Sequence, residues 1–368
     1  MNDQINWDDF LALVKRHRIE PNIYQKIKNL CKNRIPLKVF HQIQELNYKC
    51  VIRNLKMTAK MVNLVHLLEA HHIPVIVFKG PVLAMQLYDN INARHYNDID
   101  FIIPPEMLST ANNLMYQQGF QNLFFKNSPY IKNDQLPFFK KITHHFGYFH
   151  PDIQITFEIH WRFFRNPQFL KIDPFQDLTT VNIGGTRIPT ISLTESIFFL
   201  FAHGASHSWF RLKWLCDINQ LFSINPPLNW RNIINRSKNL SIDRMLFQGL
   251  LLTRDLFNQD LPEECAQNIK YYKTVTYLMV KALEKITGPE GDNNFNLKKW
   301  SDHAKYKLRL KKNIRYRLTF FSSLFRLIPK GLNKTKIPSK LLWIFFCFRP
   351  LTKICRKIIE WKKNEGIH

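Results

Sequence analysis

Two aspartates and a glutamate carry the strongest chemical signal in this 368-residue chain. Asp98 and Asp100 flank a single isoleucine in the run Asp98-Ile99-Asp100-Phe101-Ile102-Ile103. In an extended strand, residues two apart project from the same face about 7 Å apart, so both carboxylates share a face while Ile99 and Phe101 turn to a core. Acids held this close repel unless a cation lies between them. Oxygen ligands at such a spacing suit Mg²⁺, or Mn²⁺, together with the phosphates of a substrate. Glu158 belongs to a second run of the same kind, Ile155-Thr156-Phe157-Glu158-Ile159-His160-Trp161, whose alternation sets Thr156, Glu158 and His160 on one face. Side by side, the two strands would present three carboxylates to a two-metal site. The plain alternative for an Asp-x-Asp pair is an exposed strand edge or a turn.

Upstream, Phe78-Lys79-Gly80-Pro81 closes an apolar run and opens a helical pattern. Backbone N–H groups at such a turn attract phosphate, and a glycine lets it approach closely. His203 and His207 stand four apart on one helical face, with Arg211 next in the series. As a Zn²⁺ site the pair lacks a third ligand at a recognisable spacing and the glutamate of an HExxH motif. A substrate-facing wall formed by His203, His207 and Arg211, with His160 beside Glu158, accounts for these residues better. His144, His145 and His150 read as polar residues on an exposed strand face. The sequence contains no Gly-x-Ser-x-Gly elbow, Gly-x-Gly-x-x-Gly turn or Walker-type loop, which leaves hydrolase, dinucleotide-binding and P-loop readings without support.

The elements that must position these groups follow from periodicity. Residues 1–50 read as helical, broken at Ile35-Pro36, and a helix with one buried face spans 51–71. Val75-Ile76-Val77-Phe78 is a short buried strand, and the apolar positions Ala84, Met85, Leu87 and Tyr88 form a helix after it. The 98–103 strand stops at Pro104-Pro105, and a further helix ends at Gly119. Strand signals recur at 120–125, 143–149 and 153–161. Beyond Gly184-Gly185 the pattern turns to long helices from 193 to about 283. The resulting units are 1–50, a helical segment; 51–191, the catalytic domain; 192–295, a helical domain; and 296–368, a basic amphipathic region.

In this order the blocks resemble the uncharacterised nucleotidyltransferases of the DNA polymerase β superfamily. The resemblance rests on Lys79-Gly80 at a strand end, Leu87-Tyr88, Arg94, the 98–103 block and Glu158-Ile159-His160-Trp161. It continues through His203, His207, Trp209, Leu212, Trp214 and Asp217 to Arg349-Pro350. It implies an α+β fold: a minimal nucleotidyltransferase mixed β-sheet with flanking helices, followed by a helical domain and here a basic helical C-terminal tail. It further implies that Asp98 and Asp100 ligate Mg²⁺ or Mn²⁺, with Glu158 as the third carboxylate and Lys79, Gly80 and Arg94 at the nucleotide. Pro81 stands where the superfamily usually has serine, which passes the triphosphate contact to Lys79 or Arg94. The implied reaction moves a nucleoside monophosphate from a nucleoside triphosphate to an acceptor hydroxyl with loss of pyrophosphate. A protein, a glycan or lipid-linked intermediate, or RNA remains open as acceptor. The other reading is an inert module on the same fold that binds a nucleotide, RNA or a membrane partner.

Composition bounds these readings. With 45% apolar and 14% aromatic residues, the chain can bury sizeable cores. Its net charge of +25 favours polyanionic partners. The charge is uneven: residues 301–368 hold 18 Lys/Arg against three acids, a net +15, interleaved with clustered phenylalanines and Trp343. That tail is expected either to lie on an anionic membrane surface or to pack on the helical domain, with nucleic-acid binding as a third reading. The six cysteines are scattered without CxxC spacing, and the start MNDQINWDDF lacks a basic segment followed by an apolar one. A cytoplasmic protein, peripheral at the inner membrane face, is the expectation.

Overall fold

Helix starts in the N-terminal third are set by side-chain caps and by proline. Asn6 accepts hydrogen bonds from the N–H groups of Asp8 and Asp9 and so opens α1 (Trp7–His17). After α2 (Glu20–Leu30), the Ile35-Pro36 break precedes α3 (Leu37–Ala70), a helix of 34 residues that runs through position 50 without interruption. Its first half joins α1 and α2 in a small core of Leu11, Ile27, Val39 and Ile43. Its second half carries Met57, Met61, Leu64, Val65 and Leu68 against the sheet. The computed structural model describes residues 5–30, 35–124, 136–224, 228–269, 273–288 and 297–325.

The sheet domain follows as β1 (Ile76–Val77), α4 (Pro81–Tyr88), β2 (Asp98–Ile102), α5 (Leu108–Gln117), β3 (Gln121–Asn122), α6 (Leu136–Ile142), β4 (His145–His150) and β5 (Ile155–His160). The strands lie in the order β1-β2-β5-β4-β3, with β2 and β5 parallel and every other pair antiparallel. A parallel pair needs a long crossover, and α5, β3, α6 and β4 supply it. Alternation divides the two faces. Ile99, Phe101, Phe157, Ile159, Phe146 and Tyr148 are buried against α3 and α5, with Phe101 and Phe157 stacked at 5.5 Å. Asp100, Ile102, Glu158 and His160 take the other face.

A second sheet of two strands, β6 (Leu178–Ile183) and β7 (Thr186–Ile191), turns at Gly184 and Gly185, both at positive φ as a two-residue hairpin requires. Most of β6 is exposed, so it lacks the apolar alternation that marks a strand in sequence. From Leu193 onward the described elements are all helices: α7 (Leu193–Ser206), α8 (Leu212–Ser223), α9 (Trp230–Asn239), α10 (Asp243–Phe257), α11 (Glu263–Ile269), α12 (Lys273–Thr287), α13 (Leu297–Arg309) and α14 (Ile314–Phe325). Their core is continuous with the second face of the sheet, since Ile76, Phe78, Ile102 and Phe163 pack with residues of α7, α8 and α10.

Trp209 locks this helical part together. Its ring fills the space above Gly204 of α7, where an added Cβ would lie 2.3 Å from Cζ3. Gly204→Ala is therefore expected to cost about 1–3 kcal/mol by overpacking, read as a lower midpoint in chemical denaturation. An unchanged midpoint would mean that the ring has room to move.

The basic run at the start of the tail is partly structural. Tyr306, Leu310, Lys311 and Tyr316 are buried, and Lys311 Nζ donates to the carbonyls of Gln168, Phe169 and Leu240 at 2.7–3.0 Å. Lys307 caps the Ser206 carbonyl at the end of α7. These two lysines thus satisfy buried carbonyls, which favours packing over a solvated face for this stretch. Residues 326–368, with the apolar 341–348 segment and Arg349-Pro350, lie outside the described residues. Among the described residues no helix is long and apolar enough to cross a membrane.

Candidate active site

The parallel pairing of β2 with β5 sets Asp98 opposite Thr156, Asp100 opposite Glu158 and Ile102 opposite His160. The two acid-bearing runs are therefore neighbours. A backbone bond from Phe78 N to Asp100 O, 3.3 Å, ties the turn after β1 to the same strand. Gly80 has φ +62°, and a Cβ there would meet Ile99 Cγ1 at 3.4 Å. The turn that follows Lys79 therefore favours glycine for its backbone as well as its space.

Asp100 is the hub. It is 0% exposed, and its Oδ1 lies 2.8 Å from Lys79 Nζ and 2.9 Å from His160 Nε2. The same imidazole nitrogen is 3.0 Å from Glu158 Oε2. Burial by itself would raise the Asp100 carboxyl, but Lys79 and His160 outweigh it and hold the group below the usual carboxylate range. Glu158 behaves likewise: burial pushes up, the His160 hydrogen bond and the neighbouring cations pull down, and the carboxyl falls to about 2. For His160 the signs reverse, because burial disfavours the imidazolium while Asp100 and Glu158 raise it above its ordinary value. Lys79 is raised too, as Asp100, Asp98 and Glu158 overcome its desolvation. The result is two ionised acids facing the Lys79 ammonium and an imidazole, His160, that they bias toward its protonated form.

Above this cluster opens a cavity of about 450 Å³. Lys79, Asp98, Glu158 and His160 line it together with His203, His207, His144 and His145. Phe163, Phe164 and Phe169 form an aromatic wall that α13 and α14 complete with Lys307, Tyr316 and Phe320. His203 stacks on Phe199 and His207 on Trp214. Burial keeps both imidazoles neutral, His203 well below its ordinary value and His207 at about 3.

Six residues singled out in the sequence thus share the cavity lining: Lys79, Asp98, Glu158, His160, His203 and His207. Asp100 lies beneath them and reaches the cavity through Lys79 and His160. Gly80, Arg94 and Arg211 do not belong to that lining. Arg94, expected at the nucleotide, is instead 5% exposed, with Nε 2.9 Å from both carboxylate oxygens of Asp217. A guanidinium carried into the interior needs such a partner. The Tyr88 hydroxyl donates to the same carboxylate at 3.1 Å. Arg211 lies over the Phe210 ring, 4.8 Å from its centroid. His144, His145 and His150 also depart from expectation, since none is exposed: the first two face the cavity and His150 packs edge-on to Phe120. Among the cavity residues, Lys307, Tyr316 and Phe320 had no sequence signal beyond a basic, aromatic run.

Among the described side chains, two groups bring ligand atoms within 4.8 Å of one another: Asp100, Glu158 and His160, and His144, His145 and His160. Asp98 belongs to neither, although it lines the same cavity. A divalent cation suits the first group, because Asp100 Oδ2 is buried without a hydrogen-bond partner and two ionised carboxylates supply hard oxygen donors.

A family model described as an uncharacterised nucleotidyltransferase matches residues 3–258. No curated protein matches the chain. Among solved structures, the chain is similar to an antigenic nucleotidyltransferase-like protein from Paracoccidioides brasiliensis, with 14% identity and a TM-score of 0.30 over 51% of this chain and 90% of that one. The family match runs from the N-terminal helices to the end of α10 and includes Lys79, Asp98, Asp100, Glu158, His160, His203 and His207. The chain belongs to the uncharacterised nucleotidyltransferase family.

Proposed function

We propose that the protein transfers a nucleoside monophosphate from a nucleoside triphosphate to an acceptor hydroxyl, releasing pyrophosphate, with Mg²⁺ or Mn²⁺ held by Asp98, Asp100 and Glu158. The observation that carries this reading is the pairing of Asp100 with Glu158 on adjacent parallel strands, at the base of a cavity of about 450 Å³. When bound, the cation supplies charge neutralisation at the reacting phosphate. Lys79 offers an ammonium to the triphosphate and takes over the contact that Pro81 cannot make. Lys307 and Arg165, which line the same cavity, add positive charge for the phosphates. Glu158, ionised at neutral pH, accepts the proton of the acceptor hydroxyl, a role that depends on reach. The aromatic wall of Phe163, Phe164, Phe169, Tyr316 and Phe320 takes a planar or apolar part of the substrates and keeps water out. In α14, the exposed Ile314, Leu318 and Phe321 beside Arg315 support contact with an anionic membrane face.

Incubation with each of four α-labelled nucleoside triphosphates, with Mg²⁺ or Mn²⁺ and a lysate split into protein, lipid and RNA fractions, tests the reading. Label should enter one fraction and thereby identify the acceptor class. Co-sedimentation with anionic vesicles in the same preparation tests the membrane contact. No label from any nucleotide in any fraction would overturn the transfer reaction. A second reading, a binding module without turnover, draws on Lys79 Nζ at 2.8 Å from Asp100, where an ammonium already neutralises the carboxylate. Saturable nucleotide binding without label transfer would select it.

A further inference from the structure

We propose that His144, His145 and His160 form a binding site for a borderline transition-metal ion of the Zn²⁺ class, distinct in chemistry from the cation at the carboxylates. The site rests on the same cavity as the transfer reaction but not on turnover. Its three histidines each offer a ligand atom within 4.8 Å of the other two. His144 Nε2 and His145 Nδ1 are 3.2 Å apart. A tetrahedral ion with metal–nitrogen bonds of about 2.0–2.1 Å has ligand–ligand edges of about 3.3 Å, so two of the nitrogens already stand at coordination distance.

The sheet fixes these rings. Antiparallel pairing sets His145 directly opposite His160, and Trp161 N donates to the His144 carbonyl at 3.1 Å. Ring centroids are 4.3 Å apart for His144 and His145, 4.8 Å for His145 and His160, and 5.3 Å for His144 and His160. Three imidazoles packed this closely leave polar atoms unsatisfied. The Nδ1 atoms of His144 and His160 are both buried without a hydrogen-bond partner among the described residues. A metal takes the neutral ring, so binding here displaces the proton by which His160 Nε2 bonds Asp100 and Glu158, while His144 ligates through Nε2, the nitrogen that faces His145. Glu158 Oε2, 3.7 Å from His145 Nδ1 and 3.0 Å from His160 Nε2, is an oxygen donor beside the same rings.

Donor type selects the ion. Imidazole nitrogens suit Zn²⁺, Co²⁺ and their neighbours, whereas Mg²⁺ takes oxygen ligands and gives up water reluctantly. The three histidines therefore add to the carboxylates a preference that an all-oxygen site lacks. The bland explanation of the His144–His145 contact is a simple N–H···N hydrogen bond between two neutral rings, and it predicts no metal.

The test uses the full chain, stripped with chelator and free of nucleotide. Titration with Co²⁺ should give the visible absorption of nitrogen-ligated cobalt, saturating at one equivalent and displaced by Zn²⁺ but not by excess Mg²⁺. In ¹⁵N-histidine-labelled wild-type protein, ring-nitrogen resonances should shift on Zn²⁺ addition. The double variant His144→Gln/His145→Gln should lose more affinity than the roughly 10–100-fold typical of outer-shell partners, with circular dichroism of the metal-free protein confirming its fold. Wild-type protein that develops no cobalt band, or a folded double variant that binds as wild type does, overturns the proposal. Because no nucleotide is present, cobalt binding with failed label transfer would sink only the transferase reading, and the reverse result only this one.

Discussion

Asp100→Asn should abolish nucleotidyl transfer and also weaken the fold, whereas Asp98→Asn should abolish transfer and leave stability close to wild type. The difference lies in burial. Asp100 is fully enclosed and faces both Lys79 and His160, so asparagine keeps the shape but takes from Lys79 its counter-charge at 2.8 Å and leaves His160 to Glu158. Breaking one side of a buried charge cluster typically costs about 3–5 kcal/mol. Asp98 is half-buried at the cavity surface, and its replacement removes a ligand without opening the core. In both variants transfer should fall by at least ~10²–10³, the scale of losing one group that stabilises transition-state charge. Label transfer and denaturant midpoints measure the two effects separately. Transfer retained in either variant would remove the metal–carboxylate account, and equal stability losses would remove the distinction between hub and rim. Acid should dissolve the same cluster. Glu158, held at about 2, contributes stability that is present above its unfolded value of roughly 4.3 and is lost as pH falls through 2.

Arg94→Leu should be among the most destabilising single substitutions, by about 3–5 kcal/mol, because it leaves the Asp217 carboxylate buried without its guanidinium. Asp217 is 0% exposed, and beyond Arg94 the Tyr88 hydroxyl donates to it. Asp217→Leu should cost a similar amount. The double variant should recover much of the loss, since neither charge then remains alone in the interior. A residue that met the nucleotide would behave otherwise: Arg94→Leu would raise KM for the nucleoside triphosphate at unchanged stability. Thermal unfolding of the two single variants and the double one, with KM where transfer persists, decides between the roles. A single variant with a wild-type midpoint would show that the pair contributes nothing.

The carboxylates were legible because strand alternation has a period of two, which makes a shared face a property of adjacent sequence. Asp98 with Asp100, and Glu158 with His160, could be read that way. What joins the two strands is the parallel pairing of β2 and β5, which rests on tertiary structure and which alternation alone could only suppose. His144 and His145 were misplaced for the same reason: the register of β4 against β5 decides which face a residue takes, and nothing local records it. Arg94 has its partner 123 positions away, so its charge alone could not distinguish a phosphate contact from an internal one. Lys307 and Lys311 sit in a run whose composition looks solvated, yet the burial of Tyr306, Leu310 and Tyr316 carries them to backbone carbonyls. The Ile35-Pro36 break marks the beginning of α3. Its passage through position 50 follows from unbroken helical pattern on both sides.

Lys307, Tyr316 and Phe320 lie beyond residue 258, where the family match ends, yet they form part of the same enclosure as Asp98 and Glu158. The chain thus divides its labour in a way that permits tinkering. The acids of the proposed reaction are housed in one stretch of sequence, and part of the cavity lining comes from another. An exchange of α13 and α14 for another helical pair could retune which molecule is admitted while the acids, their strands and their charge balance stay untouched.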